Sequence, residues 1–346
     1  MHENKNLSAR VAILIVNFGR VADTLECLDS LLQVSQPLFK VFLVDNGSGA
    51  TEEMRLRSYA NLYPQLIHFT ALPKNYGFTG ACNRLIEYII TNHDYQFILL
   101  LNNDTVVDPL FLTHMLEKIN IEQRIEMIAA QMIKYDNRSI IDNLGITFYK
   151  SGLASNRRSV DDPLLGPCGG CALYTTDLLR QVYQETGEYF DDTFFCYAED
   201  TDLAWRARLL GYDAGYAQDA LVFHKGSLSS GGPNNDFILY HGIRNSLFVL
   251  LKNIPLTIIL KNLGWMVLLH CAILMRYTVK GKLPVLMKTY HDFIYRIPLI
   301  RQKRQYLKSK IRIQKKQIKL LISSSFYEQK YLKSALLDLF VRSRKN

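Results

Sequence analysis

Five apolar residues that stop against three polar ones constrain this chain more than any other stretch: Phe97-Ile98-Leu99-Leu100-Leu101, then Asn102-Asn103-Asp104. Such a block reads as a parallel strand buried on both faces. Its C-terminal end is the edge where open α/β sheets place their ligands. A carboxylate there, Asp104, can grip a divalent ion and the phosphates that ion neutralises. Asn and Asp also favour plain turns, so one such motif leaves both readings open. Recurrence separates them. Residues 11–16 are apolar and run into Asn17, and residues 41–44 run into Asp45-Asn46-Gly47-Ser48, so three core strands end in polar groups at one rim. Residues 23–32 and 79–90 carry apolar side chains at three- and four-residue spacings, which supplies the helices of a β-α-β-α-β doubly wound α/β sheet.

A second cluster, residues 191–202, holds five carboxylates: Asp191, Asp192, Glu199, Asp200 and Asp202. It leads into a helical stretch ended by Gly211. One acid is enough to cap a helix N-terminus, and the others are left for other work. Glu199 and Asp200 are adjacent and so diverge, and like charges raise a neighbour's pKa toward the range of a general base. Residues 221–223 form a further apolar strand that ends at His224. Cys168-Gly169-Gly170-Cys171 lacks the second Cys pair of a zinc site and is read as structural.

At 346 residues, 48% hydrophobic and 21% charged, the chain has the balance of a globular protein with a core, which excludes a disordered chain. Six dispersed cysteines do not make a secreted disulfide scaffold, and the polar residues 1–10 do not resemble an export signal, so a reducing cytoplasm is expected. Charge is divided. Residues 276–346 hold 19 Lys and Arg against 3 acids, net +16, which leaves 22 bases against 29 acids upstream. A basic run of this kind needs a polyanionic surface. The apolar segment before it, residues 254–275, is interrupted by Pro255, Lys261, Asn262, Gly264 and His270. Lys261 alone opposes membrane insertion by about 3 kcal/mol, so lying in the interface of an anionic membrane suits the segment better than a clean span. Nucleic acid is not expected, because the tail carries no zinc, RNP or basic-zipper signature.

Taken in order, Asp45-Asn46-Gly47-Ser48, residues 75–83 from Asn75-Tyr76-Gly77 to Asn83, Asn102-Asn103-Asp104-Thr105, Gly169-Gly170-Cys171, Ala198-Glu199-Asp200-Thr201-Asp202 with Trp205-Arg206, His224 and Arg244-Asn245 resemble the family 2 glycosyltransferases with a GT-A fold, most of all their rhamnosyltransferase-like bacterial branch. The likeness runs from about Val11 to Asn245 and continues to about Arg304.

That resemblance implies a GT-A type doubly wound mixed sheet with a Rossmann-like nucleotide-binding half, residues 1–232, followed by a helical, basic, membrane-associating region, residues 233–346. It implies that Asp45 accepts from the donor's pyrimidine, with Asn17 beside the nucleoside. Asn75, Gly77 and Asn83 would close over ribose and diphosphate, where glycine permits close approach. Asn102, Asn103 and Asp104 would meet the donor, Asp104 and His224 would hold Mg2+ or Mn2+, and Arg244 would stabilise the leaving charge. Gly169, Gly170, Cys171 and Trp205 would border the donor sugar or acceptor. Asp200 would be the catalytic base, with Glu199 beside it. Asn102 departs from the family pattern, which has a first Asp there; an amide brings no charge, and this places weight on Asp104 and His224. The implied reaction is inverting transfer, from dTDP-rhamnose or a UDP-hexose to a lipid-linked oligosaccharide, by a peripheral protein on the cytoplasmic face of the bacterial inner membrane. Of the rivals, a dinucleotide oxidoreductase is disfavoured because Asn17-Phe18-Gly19-Arg20 is not a G-x-G-x-x-G loop, and a non-catalytic sugar-nucleotide-binding scaffold is disfavoured by the intact Glu199-Asp200 pair.

Overall fold

Strand and helix alternate first: β1 (Arg10–Asn17), α1 (Val21–Leu31), β2 (Leu38–Asp45), α2 (Ala50–Leu62), β3 (Ile67–Ala71), α3 (Gly77–Asn92) and β4 (Phe97–Leu101). Shorter pieces follow: β5 (Thr105–Val107), α4 (Phe111–Leu116), β6 (Ile125–Lys134), β7 (Ile141–Asn143), β8 (Ile146–Tyr149), β9 (Ala154–Asn156) and β10 (Cys171–Thr175). The chain continues through α5 (Thr176–Thr186), α6 (Glu199–Leu209), β11 (Asp213–His224), α7 (Asp236–Asn253), α8 (Leu256–Val279), α9 (Leu283–Lys308), α10 (Lys315–Leu320) and β12 (Ile322–Ser323). The structure, a computed structural model, describes residues 10–226 and 235–328; the expected boundary at 232/233 and the last part of the basic run lie outside them.

Among the described residues the main sheet has nine strands, in the order β3-β2-β1-β4-β10-β6-β11-β5, with β7 paired to β6. Strands β1 to β4 are parallel neighbours. The sheet becomes mixed at β10, which runs antiparallel to both β4 and β6. The reading of β1 and β4 as strands buried on both faces is borne out: Ile13, Ile15, Leu99 and Leu101 face one core layer, and Ala12, Leu14, Ile98 and Leu100 face the other. Each such aliphatic side chain removed from water contributes about 1.5–3 kcal/mol. Register then sets the rim. Asn17 lies opposite Asp45, and His224 lies opposite Thr105, one residue beyond Asp104.

The basic extension folds back onto the sheet domain. Phe248, Val249, Leu250, Ile254, Leu307 and Ile318 share a buried cluster with Phe148, Phe194 and Trp205. Strand β12 pairs with β8, Ile322 opposite Phe148. The contact is locked by charge: Lys252 Nζ lies 2.6 Å from Glu188 Oε1, 2.8 Å from Asp191 Oδ2 and 3.1 Å from Asp202 Oδ2. Lys303 Nζ adds contacts of 2.6 Å to Glu188 and 2.7 Å to Asp191. These three carboxylates are close enough together to hold a cation, and the lysine ammonium groups take that position.

Candidate active site

One cleft of about 880 Å³ opens at the C-terminal rim of the parallel strands, and its size suits a small-molecule ligand. Asn75 and Gly77 come from the turn before α3, and Asn102, Asn103 and Asp104 follow β4. His224 ends β11, Gly169 and Gly170 precede β10, and Glu199 and Asp200 open α6. All ten line this cleft. The turn after β2 holds it in shape. Gly47 has φ of 81°, and a Cβ there would lie 2.5 Å from the backbone of Lys74, so only glycine fits. Asn46 Nδ2 donates to Asn75 Oδ1 at 3.0 Å and to the Gly77 carbonyl at 3.1 Å, which clamps the turn before α3 onto β2.

At one wall Asp104 Oδ1 is buried and makes no hydrogen bond among the described residues. It faces His224 Nε2 at 3.4 Å, and His224 Nδ1 is 2.7 Å from Asp142 Oδ2. Burial opposes a charge on His224, but the carboxylates of Asp104 and Asp142 outweigh it and raise the imidazole to about 9. A carboxylate oxygen and an imidazole nitrogen, with the other ring nitrogen fixed by a second carboxylate, form a donor set that fits a divalent ion. To serve as a ligand Nε2 gives up its proton. Asp142 was not legible in the sequence: β7 is three residues long, and only its pairing with β6 brings it under His224.

Elsewhere in the same lining the Gly169 N–H donates to Asp200 Oδ2 at 2.9 Å, and the Thr201 N–H donates to Asp200 Oδ1 at 2.6 Å. Glu199 Oε2 is buried with no hydrogen-bond partner among the described residues. Burial, followed by the Asp200 charge, pushes the Glu199 carboxyl up to about 8 from 4.5. Folded protein therefore keeps a proton that unfolded protein releases, and stability falls as pH rises from about 4.5 to about 8. Glu199→Gln, neutral and nearly isosteric, is expected to flatten that part of the profile and to melt higher than the parent above pH about 8. Melting temperatures of both proteins across this range check it; parallel profiles would remove Glu199 as the source.

Six expected site residues do not line the cleft. Asn17 and Asp45 lie beneath it: Asn17 Nδ2 donates to Asp45 Oδ1 at 2.8 Å, and the Ser48 N–H donates to Asp45 Oδ2 at 3.1 Å. Asn83 ties α3 to the Phe190 backbone, donating to its carbonyl at 2.8 Å and accepting from its N–H at 2.9 Å. Cys171 points from β10 into the core with its thiol toward Met115 Sδ at 3.9 Å, because strand side chains alternate faces. Trp205 is 0% exposed and packs edge-on to Phe148. It lies six residues after Glu199, which turns it to another side of α6. Arg244 is buried too, and donates to the carbonyls of Thr193 at 3.1 Å and Phe194 at 3.2 Å, so its guanidinium braces a loop.

Residues 12–183 match the family model described as Glycosyl transferase family 2. The low-salt glycan biosynthesis hexosyltransferase Agl10 of Haloferax volcanii is 22% identical over 244 residues, 68% of this chain and 73% of that protein. Among solved structures, S. aureus TarS 1-349 in complex with UDP superposes with a TM-score of 0.56 at 15% identity, covering 87% of this chain and 89% of that one. GalNAc-T7, solved with UDP, GalNAc and Mn2+, gives a TM-score of 0.55 at 14% identity over 72% of this chain; the chain spans about half that protein's length, 48%. Fold, family match and the curled mixed sheet together support a glycosyltransferase of family 2 with a GT-A fold.

Proposed function

We propose that this chain is an inverting glycosyltransferase that moves a sugar, rhamnose from dTDP-rhamnose in the first instance, from a nucleoside diphosphate to a lipid-linked oligosaccharide at the cytoplasmic face of a bacterial membrane. The observation that carries the reading is the meeting of Asp104, His224, Glu199 and Asp200 in the lining of one cleft. A proton held on Glu199 makes Asp200 the member of the pair able to accept one from an acceptor hydroxyl. The hydroxyl then attacks the anomeric carbon from the face opposite the leaving diphosphate. Asp104 and His224 would hold Mg2+ or Mn2+, which supplies positive charge against the diphosphate oxygens. A UDP-hexose is the second reading for the donor, favoured by the hexosyltransferase relative and by the UDP in the TarS and GalNAc-T7 structures.

A panel of nucleotide sugars with and without Mn2+ tests this by thermal shift and by nucleoside diphosphate release. The true donor at a hundredfold its Kd should add about 2.7 kcal/mol. Asp104→Ala is expected to lose the metal-dependent part of that stabilisation and to weaken release. Full activity in excess EDTA would reassign Asp104 to a role without metal.

Membrane association is supported by α8. This helix is long and apolar enough to cross a bilayer, with mean hydropathy 1.8. Ile258, Met266 and Leu269 nevertheless pack against the protein, which leaves one apolar face outward. Leu256, Leu260, Leu263, Val267 and Met275, at helical spacing, are 46% to 60% exposed, and Lys261, Lys288, Arg301 and Lys308 are exposed on α8 and α9. An amphipathic element of this kind lies in a membrane interface. Deletion of the extension is a poor probe, since Leu307, Ile318 and β12 belong to the core. Leu260→Glu with Val267→Glu removes about 1.5–3 kcal/mol of burial per site. The pair is expected to lower co-sedimentation with anionic vesicles at least tenfold, and unchanged sedimentation would overturn the membrane assignment.

A further inference from the structure

The segment that leads into Glu199 follows an uncommon backbone path. Phe195, Tyr197 and Ala198 have φ of 67°, 67° and 64°, in the left-handed region that disfavours any residue with a Cβ. Ala198 is the N-cap of α6, so this path sets the direction in which Glu199 and Asp200 leave the backbone. Strained residues in such a place persist only where their surroundings over-determine them.

Here one side chain holds three of the loop's carbonyls. Asn245 is 0% exposed, and its Nδ2 donates to the carbonyls of Phe194, Cys196 and Tyr197 at 3.0, 2.7 and 2.8 Å. Two amide hydrogens serve three acceptors, which requires a shared bond. Arg244 Nε donates to Asn245 Oδ1 at 3.0 Å, and this fixes which end of the amide faces the loop. On the far side the Phe195 carbonyl accepts from the Thr79 N–H at 3.1 Å. A Cβ on Gly77 would meet the same carbonyl at 2.4 Å. The loop is thus wedged between α7 and the turn that borders the donor side of the cleft.

We propose that Asn245 is a positioning residue for sugar transfer: by gathering three carbonyls it holds residues 194–198 in the left-handed path and so fixes the Glu199-Asp200 pair against the donor. This rests on the glycosyltransferase reading above. Asn245 does not line the cleft, and its effect passes through the loop.

Asn245→Ala is expected to lower kcat about 10- to 100-fold, since a shift of about 1 Å at a reacting group costs up to about a hundredfold. The donor KM and nucleoside diphosphate affinity should stay within about twofold. Ala198→Gly, which removes the penalty on the left-handed path, should recover part of the lost kcat in the double variant. Val249→Ala, on the same helix but without a side-chain hydrogen bond to the loop, should keep its kcat when compared with Asn245→Ala at equal loss of melting temperature. Hydrogen exchange over residues 193–200 should quicken in Asn245→Ala, whether or not a donor is in hand. If Asn245→Ala does not fold, Asn245→Ser, which keeps one donor, replaces it with the same expectations. Parental kcat, equal loss in Val249→Ala, no recovery with Ala198→Gly, or unchanged exchange would each overturn the proposal. Absence of turnover by the parent with every nucleotide sugar, alongside quickened exchange in the variant, would count against the transferase reading and leave the holding role of Asn245 supported.

Discussion

Asp200→Asn is expected to abolish most transfer, with a loss of about 10² to 10⁴ in rate, while nucleotide-sugar binding stays close to that of the parent. The reasoning is geometric. The amide has almost the same shape as the carboxylate, and its oxygen can still accept from the Gly169 N–H that holds Asp200 Oδ2 at 2.9 Å. What it cannot do is take a proton from an acceptor hydroxyl. Glu199 next door does not replace it near neutral pH, because burial, the larger cause of its raised carboxyl, remains when the Asp200 charge is gone. The decisive measurement pairs a steady-state rate with acceptor present and a donor Kd for each protein. Turnover equal to the parent would remove Asp200 as the base and make Glu199 the next candidate.

Lys252→Met should have the largest effect on stability, a loss of about 3–5 kcal/mol, because removing one partner of a buried ion cluster leaves the others uncompensated. Lys252 Nζ, in a side chain 3% exposed, faces three carboxylates, of which Asp191 and Asp202 are themselves buried. Burial alone would raise the Asp191 carboxyl; Lys252 and Lys303 outweigh it and hold the group well below the usual range. Asp202 is lowered as well, with Lys252 and Arg206 against its burial. For carboxyls depressed in the folded state, the stabilisation is present above their unfolded value of 3.8 and is lost as pH falls. This is the opposite slope to that of Glu199. Urea midpoints near pH 7 and near pH 3 for Lys252→Met and its parent test both points: a large gap at neutral pH that narrows in acid is expected, and a gap that does not change with pH would show that packing, not charge, is what Lys252 supplies.

Four of the nine strands of the main sheet and ten residues of the cleft lining were legible without coordinates. The apolar runs that end at Asn17, Asp45, Asp104 and His224 are strands whose ends share one rim, because a strand buried on both faces can carry polar groups only where it leaves the core. Motif membership did not separate cleft residues from their neighbours. Cys171 follows Gly170 and Trp205 follows Glu199 in the same motifs, yet each faces the core, since direction turns by 180° per residue on a strand and about 100° per residue on a helix.

The sequence by itself determined the strands that end at Asn17, Asp45, Asp104 and His224, the acids at the start of α6 and the division of charge, because each is a local pattern of polarity. Only the tertiary structure decided that Asp142 backs His224 across 82 residues, that Asn245 gathers carbonyls 48 to 51 residues away, and that Lys252 joins the basic extension to Asp191 and Asp202. Such partners come from separate elements, and nothing local to either residue selects the other. Their pairing follows from how the helices and sheet pack, where a buried polar group must find whichever partner the packing brings within reach.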